Sequence, residues 1–146
     1  MPATSSSEYL GACHCGAIGF RYRTAQPPDQ WSIRACQCSF CRAHAALSTS
    51  DPAGSIEFRG SGSGALQRYR FGQRTADFLL CRECGVYLGA LMETPGGMYG
   101  IVNANALRPI PELPAVAAPM DYGAESASQR AGRREQRWSP ASIGEE

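Results

Sequence analysis

Three cysteine clusters decide the fold of this chain: Cys13-His14-Cys15, Cys36-Gln37-Cys38-Ser39-Phe40-Cys41 and Cys81-Arg82-Glu83-Cys84. They contain all seven cysteines of the 146 residues, and an odd number excludes complete pairing in intramolecular disulfides. Spacings of one or two residues place sulfur atoms near a common centre, as tetrahedral zinc requires. The clusters therefore favour metal binding over two other interpretations, redox-active thiols and a disulfide framework.

The chain is poor in the large apolar residues that build a core. Leu, Ile, Val and Phe together number 23 of 146 residues, about 16%. A fraction below about 20% is typical of disorder when it is combined with high net charge. Because the formal net charge is only +1, we expect instead a thin core that bound metal stabilises.

Charge and hydropathy argue against several classes of protein. No apolar run reaches the roughly 18 residues that indicate a transmembrane helix, and the N-terminus has no apolar segment typical of a secretory signal. We therefore expect a cytoplasmic protein with reduced thiols and no membrane partner. The balanced charge argues against a dedicated nucleic-acid binder. All 14 basic residues are arginines, which excludes lysine chemistry.

Alternation of apolar and polar residues predicts short antiparallel strands joined by Gly and Pro turns. Pro95-Gly96-Gly97 predicts the turn of a hairpin. We predict strands at 18–23, 31–34, 55–59, 66–71, 78–80, 86–92 and 98–103. The fold class expected from this pattern is mainly β.

Composition divides the chain into three parts. Residues 1–9 are predicted to be a disordered N-terminus, 10–114 a zinc domain, and 115–146 a Pro-rich connector with an Arg-rich tail. The proline-free segment 125–138 predicts a short C-terminal helix. Its basic residues are Arg130, Arg133, Arg134 and Arg137. We interpret this helix as a solvated one docked by Trp138, with contact to glutathione or nucleic acid as the alternative.

Seven cysteines can supply one closed site with four ligands and one site with three. Spacing allows the third cluster to share a metal ion either with Cys38 and Cys41 or with the first cluster. We prefer the first cluster as its partner, because that choice keeps the middle cluster together and leaves no cysteine stranded. Three protein ligands and an open position are typical of catalytic zinc.

The clusters, in this order, resemble the glutathione-dependent formaldehyde-activating (GFA) enzyme family, which includes centromere protein V. The resemblance rests on 11–16, 36–42, 81–85 and 102–107, and it covers about residues 10–109. It implies an Mss4-like fold of short, coiled antiparallel sheets. It also implies a structural zinc on Cys13, Cys15, Cys81 and Cys84, and a second, labile zinc on Cys36, Cys38 and Cys41.

The resemblance implies carbon–sulfur lyase-type chemistry, in which glutathione or a related thiol adds to formaldehyde or another small aldehyde. The catalytic residues would be Cys36, Cys38 and Cys41. The thiolate is the reactive form of a thiol, and a coordinated metal ion deprotonates a thiol. Glutathione carries two carboxylates, and arginine binds carboxylates bidentately. The candidate partners near the clusters are Arg34, Arg42, Arg82 and Arg108.

Two histidines and two other functions complete the sequence-based hypotheses. His14 is expected to face solvent or to form hydrogen bonds. His44 follows Cys41 by three residues and is a candidate fourth ligand or proton shuttle. As a ligand it would close the second site, which is typical of structural zinc. The alternatives to an enzyme are a zinc module that binds a protein or nucleic acid and a thiol-redox or zinc-storage protein.

Overall fold

The computed structural model describes residues 6–144, in which short strands dominate. The strands are β1 (Ser7–Ala12), β2 (Gly19–Thr24), β3 (Arg34–Cys36), β4 (Ser48–Thr49), β5 (Ser55–Arg59), β6 (Leu66–Tyr69), β7 (Asp77–Cys81), β8 (Tyr87–Thr94), β9 (Gly97–Asn103), β10 (Ala118–Met120) and β11 (Ser139–Gly144). The α-helices are α1 (Ser39–His44) and α2 (Ala127–Arg137). The expected mainly β fold with a short C-terminal helix is confirmed. Neither helix is long and apolar enough to cross a lipid bilayer.

Strand β9 is the branch point of the sheet. It pairs with β8 along the predicted hairpin, from Gly89 opposite Val102 to Thr94 opposite Gly97. It also pairs with β11 and with β4. From there the sheet extends in three directions: through β8 to β7 and β6, through β11 to β5, β2 and β1, and through β4 to β3 and β10.

The larger core lies on the apolar face of β2 and β5. Phe20 and Phe58 are each 1% exposed, and their ring centroids lie 6.2 Å apart. Tyr22 and Ile56 occupy the next inward-facing positions and are equally buried. This burial follows the alternation read from the sequence, since every second side chain of a strand points to the same face. The predicted strand at 55–59 coincides with β5.

The ordered structure begins earlier than residue 10. Residues 7–9, which composition assigned to a disordered N-terminus, form the first half of β1 and pair with β2. Glu8 forms ion pairs with Arg21 and Arg23, and the ring of Tyr9 packs edge-on against Trp31 with centroids 4.8 Å apart. A strand of this kind is stabilised by its cross-strand neighbours more than by its own composition. Residues 1–5 of the predicted terminus lie outside the described residues.

Residues beyond 114 are part of the same sheet. β10 pairs in parallel with β3, and β11 lies between β5 and β9. The predicted helix is α2, which begins with a capping box between Ser126 and Gln129. The Ser139 hydroxyl, at the start of β11, donates to the carbonyl of Asp51 at 2.8 Å. The predicted division at residue 115 is therefore wrong as a structural boundary, because β10 and β11 pair with strands that precede it. The prolines of this segment lie in and around β10, a short strand at the edge of the sheet.

Candidate metal centres and cavity

The first and third clusters meet in the structure. We call Cys13, Cys15, Cys81 and Cys84 the four-cysteine group; their sulfur atoms all lie within 4.8 Å of one another. The Cys15 sulfur lies 3.7 Å from that of Cys13 and 3.6 Å from that of Cys81. Four sulfurs around a tetrahedral zinc ion at about 2.3 Å would be about 3.8 Å apart. Donor type and spacing thus fit zinc, in the grouping that the sequence analysis preferred.

Two matching turns build this group. The amide of Cys13 donates to the carbonyl of Ile18, and the amide of Cys81 donates to the carbonyl of Val86, each at 3.0 Å. Within the turns, the amides of Ile18 and Cys84 donate to the sulfurs of Cys13 and Cys81 at 3.4 Å. The two turns therefore share the same pattern of hydrogen bonds around their first cysteine.

A glycine follows each turn's second cysteine. Gly16 has φ 84° and Gly85 has φ 82°, a left-handed conformation that residues with a Cβ rarely adopt. Arg108 supports the first turn by donating to the carbonyl of Cys13 at 2.8 Å. His14 is exposed, as expected, and belongs to neither group of potential ligands.

The middle cluster forms a second group at the start of α1. We call Cys36, Cys38 and Cys41 the three-cysteine group; their sulfurs also lie within 4.8 Å of one another. Cys36 ends β3, and the Cys38 sulfur caps α1 by accepting the amide of Cys41 at 3.4 Å. Both groups could hold a metal ion, and thiolate donors suit zinc.

No further His, Cys, Asp or Glu among residues 6–144 joins the three-cysteine group. The Nδ1 atom of His44 lies 3.0 Å from the carbonyl oxygen of Phe40, and the two rings pack with centroids 4.4 Å apart. His44 is therefore not placed as a fourth ligand. Three donors remain, with one side of the group free of protein ligands.

Two thiols of the three-cysteine group, those of Cys36 and Cys41, have pKa values that are shifted in opposite directions. The Cys41 thiol donates a hydrogen bond to the Cys36 sulfur, which lowers the pKa of Cys36 to about 5 although burial opposes this. The amide of Cys38 and the charge of Arg133 act in the same direction as that bond. The same bond and burial raise the pKa of Cys41. At neutral pH the metal-free group thus already contains one thiolate.

A cavity of about 170 Å³ opens beside the three-cysteine group, and all three of its cysteines line it. Apolar side chains form part of the remaining wall, namely Phe71, Phe78, Ile101 and Trp138. Apolar walls with a few polar groups are typical of small-molecule sites.

The charged residues of the cavity wall are one acid, Asp121, and four arginines, namely Arg34, Arg130, Arg133 and Arg134. Glu125 forms ion pairs with Arg133 at 2.8 Å and with Arg130 at 3.5 Å. The guanidinium of Arg133 also lies 3.5 Å from the ring centroid of Tyr122. These contacts join α2 to the segment that immediately precedes it.

Arg134 is the most buried of the four and is 7% exposed. It donates to the Thr75 hydroxyl at 2.9 Å, and its guanidinium lies 4.8 Å from the ring centroid of Trp138. Burial lowers the pKa of Arg134 to about 10, and the neighbouring charges of Arg133 and Arg130 add to this effect. The side chain nevertheless stays charged at neutral pH.

Residues 8–117 match the family described as glutathione-dependent formaldehyde-activating enzyme. The chain belongs to the GFA family. It is also similar to a Rhodobacter sphaeroides protein of known crystal structure, with 30% sequence identity and a TM-score of 0.53. That similarity covers 72% of this chain and 97% of the other. No curated protein matches this GFA-family chain.

Only one of the four arginines proposed from the sequence lines the cavity of this GFA-family chain. That residue is Arg34. Arg42 and Arg82 are exposed and do not line it, and Arg108 lies at the four-cysteine group. Proximity to a cysteine in sequence was a poor guide, because it does not determine the direction of a side chain. Glutathione binding by any of these side chains stays a prediction.

Helix α2 lines the cavity although it lies beyond the residues that match the GFA family. The sequence had favoured a solvated helix here, with contact to glutathione or nucleic acid as the alternative. The interpretation of its basic residues as a solvated helix face is wrong for three of the four arginines, because Arg130, Arg133 and Arg134 line the cavity. Only Arg137 is exposed and absent from the cavity wall. The docking role predicted for Trp138 is correct, since this side chain is 5% exposed.

Proposed function

We propose that this chain promotes the addition of glutathione, or a related small thiol, to formaldehyde or another small aldehyde. The observation that carries the proposal is a three-cysteine group with no fourth protein ligand among residues 6–144, beside a cavity lined by arginines. Membership of the GFA family supports the same reaction. In this addition the sulfur bonds to the carbonyl carbon, and the thiol proton ends on the former carbonyl oxygen.

We propose zinc as the metal of both groups, with a structural role in the four-cysteine group and an exchangeable place in the three-cysteine group. Zinc bound by three cysteines would supply an open position at which a thiol sulfur is activated. The reaction's small, polar reactants fit a cytoplasmic enzyme.

The chain's own side chains bind and orient the reactants. Phe71, Phe78 and Trp138 line the cavity with apolar surface and limit the access of water. Arg34 and Arg134 place positive charge where the carboxylates of glutathione would enter. Electrostatic attraction in a partly dry cavity exceeds that in bulk water.

The proposal is tested by measuring formation of S-hydroxymethylglutathione by exchange NMR, above the spontaneous rate. Cys38→Ser removes one donor from the three-cysteine group, while serine is itself a favourable N-cap for α1. Zinc content and thermal unfolding are measured on the same samples. His14→Ala is the matched control, since His14 is exposed and lies between two cysteines of the other group.

We expect acceleration by the wild type and by His14→Ala, and loss of that acceleration in Cys38→Ser. A zinc-loaded wild type that leaves the spontaneous rate unchanged would contradict the proposed reaction.

A further inference from the structure

The cavity beside the three-cysteine group has an apolar side. We call its five side chains the apolar wall: Phe71, Ala76, Phe78, Ile101 and Trp138. Ala76, Trp138 and Ile101 are 4%, 5% and 7% exposed and belong to one hydrophobic cluster, against which Phe78 packs. Phe71 extends this surface, because its ring centroid lies 4.7 Å from that of Phe78. The apolar wall is therefore one continuous surface.

Phe78 connects the apolar wall with the cysteines. Its side chain packs against the cluster that contains Ala76 and Trp138, and also against the cluster that contains Cys41, in which Cys36 and Cys38 take part. An atom that lies near the sulfurs of the three-cysteine group therefore has apolar side chains beside it. In the addition of a thiol to an aldehyde, the carbonyl carbon is such an atom, because the sulfur bonds to it. The group attached to that carbon is within reach of the apolar wall.

The charged residues of the cavity leave most of the apolar wall uncovered. Arg134 contacts it, since its guanidinium lies 4.8 Å from the ring centroid of Trp138. The other charged residues have partners outside the apolar wall: a glutamate for Arg130 and Arg133, a serine hydroxyl for Arg34, and a backbone amide for Asp121. Apart from Trp138, the apolar wall is thus not a partner in these contacts.

The size of the cavity fits a hydrocarbon group as large as a six-membered ring. Its volume is about 170 Å³, and an apolar protein cavity of about 150 Å³ is large enough to bind benzene. Formaldehyde carries no hydrocarbon group and therefore cannot bury the apolar wall. Burial of hydrocarbon increases affinity roughly fourfold for each methylene group. A cavity of this size and surface thus favours a larger aldehyde over formaldehyde.

We propose that the aldehyde substrate carries an apolar group of up to about six carbon atoms, and that the apolar wall binds this group. The inference rests on the proposed function, because it places the carbonyl carbon at the three-cysteine group. The thiol sulfur bonds to that carbon, the π bond of the carbonyl breaks, and the thiol proton ends on the oxygen. Trp138 lies outside the residues that match the GFA family, so a segment beyond the family match completes the apolar wall.

The first test compares three aldehydes, with glutathione as the thiol and the zinc-loaded full chain as the catalyst. The aldehydes are acetaldehyde, butanal and cyclohexanecarbaldehyde, each of which has a saturated carbon next to the carbonyl group. NMR measures kcat/KM for each aldehyde, divided by its spontaneous rate constant. We expect this ratio to rise at least about tenfold from acetaldehyde to cyclohexanecarbaldehyde, with butanal between them.

The second test measures binding without reaction. Cyclohexylmethanol has the shape of the largest aldehyde but no carbonyl group to which a thiol could add. Its binding to the zinc-loaded full chain is followed by NMR titration and compared with that of ethanol. We expect cyclohexylmethanol to bind at least about tenfold more tightly, because only its ring can bury the apolar wall.

Ala76→Leu fills part of the cavity with a larger side chain. It is expected to reduce the preference for cyclohexanecarbaldehyde over acetaldehyde, and for cyclohexylmethanol over ethanol, by about tenfold. Ala127→Leu makes the same change at an exposed position of α2 that does not line the cavity, and it is expected to keep both preferences. If Ala76→Leu does not fold, as judged by thermal unfolding, Phe71→Ala decides the question, because it removes one ring from the apolar wall and should weaken both preferences.

Equal affinity for the two alcohols, or an equal preference in all variants, would overturn the inference. Acceleration that does not increase with the size of the aldehyde would overturn it and leave the proposed function standing. Preferential binding of cyclohexylmethanol that Ala76→Leu weakens, without acceleration for any aldehyde, would instead contradict the proposed reaction and leave the apolar wall assigned as a binding site.

Discussion

The four-cysteine group joins two turns that lie 66 residues apart, whereas the three-cysteine group lies within six consecutive residues. In the first, each turn supplies two sulfurs and the donor set is complete. In the second, one short segment supplies all three donors, and the surrounding cavity wall comes from distant parts of the chain. The same type of ligand therefore occurs in two arrangements: one group joins distant turns, and the other has three donors beside a cavity.

Removal of one ligand from each group tests this contrast most strongly. Cys84→Ser is expected to lose several kcal/mol of stability, because the metal bound by distant turns contributes directly to the free energy of folding. Cys38→Ser is expected to keep the fold. Thermal unfolding followed by circular dichroism measures both, and similar midpoints for the two variants would erase the distinction between the groups.

Chelation should separate the groups by rate. With a chromophoric chelator we expect about one equivalent of zinc to leave quickly from the three-cysteine group, without change in circular dichroism, and the second to leave only as the chain unfolds. Cys38→Ser should lack the fast phase and keep the slow one. A single phase for both equivalents in the wild type would mean that openness does not control exchange.

The next prediction concerns the protonation of Cys36 in the three-cysteine group. When metal is absent from the three-cysteine group alone, the lowered pKa of Cys36, about 5, keeps it as thiolate at neutral pH. The rate of its alkylation by iodoacetamide should therefore be constant between pH 8 and 6. It should then fall about tenfold for each pH unit below 5. Peptide mapping identifies the labelled cysteine, with Cys36→Ser as the blank. A rate that falls already between pH 9 and 7 would contradict the hydrogen bond from Cys41.

The smallest effect is expected at Tyr87, which packs against the three-cysteine group. Its hydroxyl is buried without a hydrogen-bond partner among the described residues. Tyr87→Phe should raise the free energy of unfolding by about 1 kcal/mol, because it removes an unsatisfied polar group. Urea denaturation of the zinc-loaded protein measures this change. Tyr99→Phe, in the neighbouring strand, is the control, and a loss of stability at Tyr87 would show that the hydroxyl has a partner in solution.

Local pattern predicts β2 and the strands from β5 to β9, but it does not predict β1, β4, β10 or β11, and it places a strand just before β3. Alternation predicted β2, β5 and the hairpin of β8 and β9, because the face to which a strand residue points follows from its place in the alternating pattern.

The cavity wall was beyond such reasoning, because it is assembled by contacts of long sequence separation. Arg34 donates to Ser50, whose hydroxyl donates to the carbonyl of Arg137, 87 residues away. Arg134 reaches Thr75, 59 residues before it. Neither contact can be recognised from a periodic pattern in the sequence. The sequence therefore favoured a solvated helix for α2, whereas the structure places part of α2 in the cavity wall.

The position of β11 between β5 and β9 has a consequence for synthesis on the ribosome. Chains emerge from the N-terminus onward, at roughly 5–20 residues per second. All seven cysteines are available once residue 84 has emerged, whereas the sheet stays divided until 139–144 follow. During that interval β5 and β9 are open strand edges of the kind that pair with other chains. The nascent protein can therefore bind metal before it can close its sheet, and its last strand ends the period in which it is most prone to aggregate.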